Sequence, residues 1–384
     1  MASQSIAPAQ PGLPFDEPVG EEAAYLAQQL VTYIGNKRAL LGPIEDALEN
    51  VQQRLGKSRL RILDAFSGSG VVTRLFKRHA DELVANDLED YARVVSSCYL
   101  TNRADFPEDR VRDAVARLNR AIAEPAAEEG FIERLYAPRD DEDIQHGERV
   151  FYTRDNARRL DRYRTLIGHE PPDLHDWLLG PLLSEASVHA NTAGVFKGFY
   201  KDRDTGVGRF GGSGENALTR ILGQIRLEIP VLSAYESDWA VRQADANVLV
   251  EDEGGFDLVY VDPPYNQHPY GSNYFMLNLI VNYREPREVS SVSGIPTDWQ
   301  RSQYNVRSKS LPSLDHLLRT VDARFALVSY NDEGFIPIDD MRSLLGEIGP
   351  YEEIGVKYNA YRGSRNLRNR SAHVTEHLFL VDKR

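Results

Sequence analysis

The sequence is poor in cysteine and in long apolar runs. Cys98 is the single cysteine among 384 residues, which excludes an internal disulfide and favours a reducing compartment. No apolar run approaches the roughly 20 residues that a bilayer-spanning helix needs. Residues 1–20 are rich in Ala, Pro, Gln and Gly and lack the basic start and apolar stretch of a signal peptide. We expect a cytoplasmic protein whose residues 1–20 are disordered.

Positive charge is also in deficit, since 45 lysines and arginines face 58 aspartates and glutamates, giving a formal net charge of −13. This total argues against a polyanionic partner, but only the contacting face of a protein must be positive. Local arginine clusters therefore matter more, either as phosphate contacts or as a solvated charged surface. The first cluster comprises Arg134, Arg139, Arg149, Arg154, Arg158, Arg159, Arg162 and Arg164, and the second comprises Arg362, Arg365, Arg368 and Arg370.

Histidine and cysteine show no metal-ligand spacing. The sequence has no CxxC and no EF-hand pattern, so we expect no metal site. His373 and His377 are four residues apart, but they are expected to flank the last strand instead of binding zinc.

What the sequence does contain is the alternation of an open α/β sheet. Residues 60–63 predict a short buried strand, a glycine-rich turn follows it, and residues 71–79 predict a helix. A second strand over 83–86 ends at Asp87. Strand, glycine turn, helix, strand and acidic residue together mark the beginning of a doubly wound α/β sheet.

Strand signals return near the C-terminus, over residues 257–261, 325–329 and 377–381. The middle of the chain, residues 101–230, differs from both flanks. It carries the first arginine cluster, helical periodicity over 111–123, and a glycine-rich polar stretch over 194–214. We interpret it as an insertion into the α/β domain.

The motif Asp262-Pro263-Pro264-Tyr265 directly follows the strand predicted over 257–261, where ligands bind in open α/β sheets. An aromatic amine is a poor nucleophile because its lone pair is delocalised into the ring. The Asp262 carboxylate and the Pro263 carbonyl can accept its two hydrogens, which favours a tetrahedral nitrogen. The prolines donate no competing N–H, and Tyr265 offers a flat face for an extruded base. The alternative interpretation is a proline turn after a strand.

The glycine-rich turn after the first strand predicts a cofactor site. Gly68 and Gly70 let a bulky cofactor approach the backbone, and Phe66 lies in the same turn. A dinucleotide-binding fingerprint requires a third glycine where this chain has Thr73. This departure favours S-adenosylmethionine over NAD.

Two aspartates are candidates for contacts with the rest of such a cofactor. Asp87 is placed to bind ribose hydroxyls, although it is also a candidate helix N-cap. Asp238 is a candidate acceptor for the cofactor's adenine amino group, or a residue of a surface turn.

In combination, these segments resemble the Dam-like, alpha-class adenine-specific DNA methyltransferases. The resemblance covers roughly residues 31–98 and 231–381. The segments that carry it are Tyr33-Ile34-Gly35-Asn36-Lys37-Arg38, residues 64–70, Asn86-Asp87, residues 262–274 and Ser329-Tyr330-Asn331-Asp332.

The resemblance implies a Rossmann-like, S-adenosylmethionine-dependent α/β sheet with an inserted, mainly helical target-recognition domain. The catalytic domain would span 21–100 and 231–384, and the recognition domain 101–230. Tyr33 and Lys37 would contact the cofactor region, with Asp262 at the junction of cofactor and base. Within the insertion, residues 191–201 mix small, aromatic and basic side chains, which suits a loop along a phosphate backbone.

The implied activity is site-specific methylation of N6 of a flipped adenine in double-stranded DNA, by a prokaryotic or phage enzyme. The catalytic residues would be Asp262, Pro263, Pro264 and Tyr265. A cognate restriction endonuclease and the oligomeric state stay open. Other amino nitrogens, namely cytosine N4, RNA adenine and a protein glutamine amide, remain alternatives, as does a DNA-binding or cofactor-binding module without catalysis.

Overall fold

The computed structural model describes residues 21–33, 35, 37–124, 128–212, 217–359 and 373–383. The predicted disordered segment over 1–20 lies outside these residues, as do Ile34, Asn36 and the second arginine cluster, Arg362, Arg365, Arg368 and Arg370.

The described residues form one seven-stranded sheet in the order β3-β2-β1-β4-β5-β7-β6. β7 runs antiparallel to both β5 and β6, and the other pairs are parallel. The order departs from the dinucleotide-binding order 3-2-1-4-5-6 by this inserted antiparallel strand. The strands are β1 Leu60–Asp64, β2 Ala80–Asn86, β3 Asp238–Arg242, β4 Gly254–Val261, β5 Asp322–Asn331, β6 Tyr351–Asn359 and β7 His373–Asp382.

Helices cover both faces of the sheet, as expected for a doubly wound α/β fold. The α-helices of the described residues are α1 Ala23–Ala27, α2 Leu41–Leu55, α3 Val71–His79, α4 Asp90–Tyr99, α5 Glu108–Ala121, α6 Phe131–Tyr136, α7 Arg154–Ile167, α8 His175–Val188, α9 Leu218–Leu222, α10 Ala246–Asp252, α11 Tyr270–Asn273, α12 Phe275–Asn282, α13 Arg307–Thr320 and α14 Ile338–Ile348. Within this part of the chain, no helix has the length and apolar character to cross a membrane.

The predicted α/β fold is confirmed. The strands predicted from buried runs are found, each longer than predicted by one to five residues, and α3 has the predicted bounds. The expectation that His377 flanks the last strand is wrong, because His377 lies inside β7, paired with Tyr330 and Gly355. No group of side chains suited to a metal ion occurs among the described residues.

The parallel strands align their carboxyl ends at one edge of the sheet, and this alignment positions the site. Asp64 ends β1 and pairs in register with Tyr260 of β4. β2 ends at Asn86, and Asp262 follows β4 directly. Segments from three separate parts of the sequence therefore meet at one edge.

The helices of the middle region share one apolar core with the sheet. Leu118 of α5, Leu160 of α7 and Leu182 of α8 belong to the same buried cluster as Val95 of α4 and Met276 of α12. The boundaries of a 101–230 recognition domain stay a prediction.

A close approach between α8 and α4 joins the middle region to the sheet. A Cβ added at Gly180 of α8 would lie 2.7 Å from both Cβ and Sγ of Cys98 on α4. Cys98 is fully buried, so neither helix can yield without disturbing the core.

We therefore predict that Gly180→Val lowers the free energy of unfolding by about 1–3 kcal/mol, as overpacking of cores does. Thermal or urea unfolding measures this change. Gly198→Val is the matched control, because a Cβ at Gly198 meets no atom within 4 Å. Equal stability of the two variants would contradict the close approach.

Candidate active site

The turn between β1 and α3 is built around left-handed glycines. Gly68 has φ 51° and Gly70 has φ 73°, a region that side chains disfavour. A Cβ at Gly68 would lie 3.1 Å from the hydroxyl oxygen of Tyr33 and 3.2 Å from its ring. Glycine at position 68 therefore lets the Tyr33 ring pack directly on the turn.

Thr73 holds the carboxylate that ends β1. Its hydroxyl donates to Asp64 Oδ2 at 2.5 Å, and the Phe66 N–H donates to Asp64 Oδ1 at 3.3 Å. Burial raises the pKa of Asp64 to about 7, although these two hydrogen bonds lower it. The residue that replaces the third glycine of a dinucleotide fingerprint is thus a structural partner of the turn.

Two carboxylates follow β2 and face the same turn. Asp87 accepts from the Gly68 N–H at 2.9 Å and from the Glu89 N–H at 3.0 Å. Glu89 is buried and accepts from the Asn278 amide at 2.6 Å. Burial raises the pKa of Glu89 to about 8, and the neighbouring Asp87 adds to this rise.

These segments line a pocket that opens to solvent. The predicted site residues that line it are Tyr33, Lys37, Phe66, Gly68, Asp87, Asp262 and Pro264. Asp64, Glu89 and Tyr270 also line it, together with Gln300, Ser302 and Asn305 from the loop before α13. The pocket is therefore acidic inside and carries polar side chains on one wall.

Three nearly parallel tyrosine rings form an aromatic wall. The Tyr33 ring lies 4.6 Å from Tyr274 and 5.0 Å from Tyr270, with interplanar angles of 12° and 3°. The Tyr33 hydroxyl also contacts that of Tyr91 at 3.0 Å. This packing joins the segment before α2 to the segment that follows Asp-Pro-Pro-Tyr.

Lys37 lies buried between two carboxylates. Its Nζ is 3.0 Å from Asp262 Oδ1, 2.8 Å from Glu376 Oε1 and 2.5 Å from the Tyr265 hydroxyl. The Tyr265 hydroxyl contacts Asp262 Oδ1 closely and lies 2.6 Å from Glu376 Oε1. We call these four residues the Lys37 cluster.

Burial and charge act in opposite directions within the Lys37 cluster. Burial alone would lower the pKa of Lys37, but Asp262 and Glu376 outweigh it and raise this pKa. Burial raises the pKa of Asp262 to about 6, although Lys37 opposes the change. For Glu376 the contacts with Lys37 outweigh burial, so its pKa is lowered. Lys37 therefore stays charged, and Asp262 is the more basic carboxylate.

The family follows from comparison with known proteins. The sequence profile of the D12 class N6 adenine-specific DNA methyltransferases matches residues 33–168 and 191–344, well over half of the chain. The chain belongs to this family.

Individual D12 relatives align along nearly the whole chain. The type II methyltransferase M.NlaIII of Neisseria lactamica is 28% identical over 364 residues, which cover 92% of this chain and 99% of that protein. The type II methyltransferase M.CviAII of Paramecium bursaria Chlorella virus 1 is 27% identical over 360 residues, covering 91% and 98%. The type II methyltransferase M.FokI of Planomicrobium okeanokoites is 26% identical over 364 residues, covering 91% of this chain and 52% of M.FokI.

Asp238 is the predicted site residue that this D12 structure does not bring to the pocket. It is the first residue of β3, exposed, and paired in register with Glu82 near the start of β2. Because β3 is parallel to β2, Asp238 lies at the amino ends of the strands, opposite the pocket. The aspartate at the carboxyl end of β3 is Asp245, which caps α10 by accepting from the Asn247 N–H.

Tyr265 lies beside the pocket and does not line it. The residue is 9% exposed, its ring packs edge-to-face against Tyr330 with the ring centroids 4.9 Å apart, and its hydroxyl belongs to the Lys37 cluster. Gly70 and Pro263 also lie behind the lining, Gly70 as the residue before α3. The stacking of a base on Tyr265 stays a prediction.

Glu376, Glu89 and the Tyr270–Tyr274 pair were missed by the sequence analysis. Glu376 gives a signal, since it is a charged residue in an otherwise apolar register of β7 with Val374, Leu378 and Leu380. Its partners, however, are far away in sequence, so the pattern alone does not reveal what it contacts.

Most arginines of the first cluster pair with other groups of the protein. Arg154 and Arg158 bind the buried Glu133 at 2.9 and 2.8 Å. Arg134 pairs with Glu285, Arg159 with Asp155, and Arg164 donates to the Val281 carbonyl. These contacts hold the middle region together, but Arg139 is exposed and its side chain has no partner among the described residues, so phosphate contacts by this cluster stay a prediction.

The raised pKa of Glu89 predicts a pH dependence of stability. An acid whose pKa rises from 4.5 to about 8 on folding contributes stability below pH 4.5 that is lost progressively as pH rises to about 8. Glu89→Gln removes this titration. The free energy of unfolding of the ligand-free variant should therefore fall less between pH 5 and pH 8 than that of the wild type. The exposed Glu142→Gln serves as control, and parallel curves for wild type and Glu89→Gln would refute the assignment.

Proposed function

We propose that this protein transfers a methyl group from S-adenosylmethionine to N6 of an adenine flipped out of a specific site in double-stranded DNA. The observation that carries the proposal is the position of Asp262. Its Oδ1 is held by Lys37 and Tyr265, and no described residue donates a hydrogen bond to its Oδ2. Its side chain is 19% exposed and lines the pocket.

The pocket residues fit S-adenosylmethionine. The acids Asp64, Asp87 and Glu89 line the pocket, where a bound cation would favour their ionised form against the effect of burial, and the Gly68 turn leaves the backbone open to such a ligand. Asp87 would take the ribose hydroxyls, since a carboxylate can accept more hydrogen bonds than the two it has. Tyr33 and Phe66 would supply apolar walls. When bound, the cofactor supplies a sulfonium methyl group as electrophile.

Asp262 and Pro263 would activate the adenine amine. Oδ2 can accept one amino hydrogen, and the Pro263 carbonyl, to which no described residue donates, can accept the other. Holding both hydrogens favours a tetrahedral nitrogen whose lone pair is directed at the electrophile. Because Asp262 must be ionised to accept, its pKa of about 6 places the acid limb of activity near that pH. Orientation and electrostatics supply the catalysis.

The adenine must leave the double helix, because its amine cannot otherwise reach Asp262. Extrusion costs a few kcal/mol, which contacts with DNA phosphates help to offset. Lys197 lies 3.0 Å from His268 in the segment after Asp-Pro-Pro-Tyr. Arg301 lies over Trp299, in the loop that supplies Gln300 and Ser302 to the pocket.

Lys197, Arg301 and Arg307 together form what we call the basic rim. Arg307 is the third of these residues. It stacks over Phe335, whose N–H donates to the Tyr265 carbonyl at 2.9 Å. Among the described residues, Lys197, Arg301 and Arg307 take part in no ion pair with an acid, unlike Arg134, Arg154 and Arg158. We assign the phosphate contacts beside the pocket to this basic rim.

The type II names of the relatives support a role in restriction–modification, with a cognate endonuclease as partner. Digestion of methylated DNA to nucleosides distinguishes N6-methyladenine from N4-methylcytosine. Sequencing of the modified sites gives the recognition sequence.

Asp262→Asn should reduce methyl transfer to duplex DNA by about 10²-fold or more, because the amide keeps the shape and loses the charged acceptor. Transfer of tritiated methyl groups to DNA measures it. Asp238→Asn, the same change at the opposite edge of the sheet, should keep wild-type transfer. Full activity in Asp262→Asn, or transfer to RNA or protein but not to DNA, would refute the proposed function.

Arg301→Ala and Arg307→Ala should each weaken DNA binding and reduce the slope of log affinity against log salt by about 1, the value for one lost phosphate contact. Binding of a duplex oligonucleotide across a salt series measures both effects. Arg159→Ala, which removes an arginine already paired with Asp155, is the control. If the slope of log affinity against log salt is unchanged in both variants, Arg301 and Arg307 do not contact DNA phosphates.

A further inference from the structure

Glu376 is a buried acid with no role in the family chemistry described above. It lies in β7, between Asn331 of β5 and Val356 of β6, and its residue exposure is 0%. An isolated buried carboxylate is costly, so such a group is retained only where partners hold it.

Three partners of Glu376 are described, and two of them belong to the Lys37 cluster. Its Oε1 lies 2.8 Å from Lys37 Nζ, 2.6 Å from the Tyr265 hydroxyl and 2.8 Å from the Ser329 hydroxyl. Lys37 and Tyr265 are also the two groups that hold Asp262 Oδ1. Glu376 is therefore one hydrogen-bonding group away from the proposed acceptor.

Counting hydrogens shows what this sharing does. Tyr265 has one hydroxyl hydrogen for two carboxylates, and the three hydrogens of Lys37 face Asp262, Glu376, the Tyr265 oxygen and the Gly35 carbonyl. Four hydrogens therefore serve six contacts. A hydrogen that Lys37 or Tyr265 donates to Glu376 is withdrawn from Asp262, whereas the Ser329 hydroxyl donates to Glu376 without this effect.

We propose that Glu376 is a positioning residue for the methyl transfer: it anchors Lys37 and Tyr265 on the Oδ1 side of Asp262 and leaves Oδ2 to the substrate amine. The inference rests on the proposed function, since it assigns Oδ2 to that amine. Without Glu376, both donors are free to move onto Asp262, which then becomes a poorer acceptor.

A pH profile tests this role because Glu376 also supplies negative charge beside Asp262. Loss of that charge lowers the pKa of Asp262, so the acid limb of activity must move to lower pH. The titratable groups that face this part of the site among the described residues are Lys37, Asp262, Tyr265, Tyr260, Tyr270 and Asp64. His377 points away from them and pairs with Glu353.

The experiment compares Glu376→Gln and Glu376→Asp with the wild type, after DNA adenine methylation by the wild type has been established. Misplacing a catalytic group by about 1 Å can reduce turnover by about 10²-fold. We expect Glu376→Gln to lower kcat by that order, with a smaller change in KM for S-adenosylmethionine, and to shift the acid limb downward. Glu376→Asp keeps the charge but shortens the reach, so it should lower kcat without shifting the limb.

Glu133→Gln is the matched control. Glu133 is also a buried acid with two cationic partners, but it lies in the middle region. Glu133→Gln should lower the free energy of unfolding and leave the acid limb of the pH–activity profile in place. If activity in Glu376→Gln falls only with the folded fraction, as in this control, or if kcat and limb are unchanged, the proposal is overturned.

Should Glu376→Gln fail to fold, the aspartate variant decides. Reduced kcat in folded Glu376→Asp supports positioning, and wild-type kcat overturns it. Absence of DNA methylation by the wild type would refute the proposed function itself, which is a separate outcome.

Discussion

The site depends on one buried interaction, the pairing of the Lys37 ammonium with the carboxylates of Asp262 and Glu376. Removing charges from water costs several kcal/mol per ion, so such a cluster is weak evidence for stability. Its effect is geometric, because it joins three chain segments that are far apart in sequence: the segment before α2, the carboxyl end of β4, and β7. A single cation between two anions leaves net negative charge at the place where a cationic electrophile would bind.

Charge is distributed by location, which reconciles the acidic total with a DNA substrate. The acids Asp64, Asp87 and Glu89 line the pocket, where burial raises the pKa of each. The basic rim lies outside it. A bound sulfonium would favour ionisation of these buried acids, and a basic rim suits phosphates, so each group lies where its proposed partner would bind. The formal charge of −13 therefore says little about the interface.

Local signals predicted much of the fold and part of the site. β1, α3 and β4 are marked by consecutive buried residues, and Asp-Pro-Pro-Tyr is contiguous, so sequence alone located the edge of the sheet that carries the pocket. β3 was missed because it is an edge strand with exposed and half-exposed residues, and Asp238 was consequently assigned without knowledge of the strand's direction. The partners of Glu376 and most pairings of the first arginine cluster depend on contacts between residues that are far apart in sequence. No periodicity encodes such contacts.

The shared core limits how the enzyme can reach a base. Domains move freely against one another when their interface is small and polar. Here α8 meets α4 at Gly180 and Cys98, and one apolar cluster runs from the middle region through α4 to α12. Swinging the middle region away from the sheet would expose that cluster to water. Under the proposed function, the adenine would then reach Asp262 by deformation of the DNA and not by movement of the middle region.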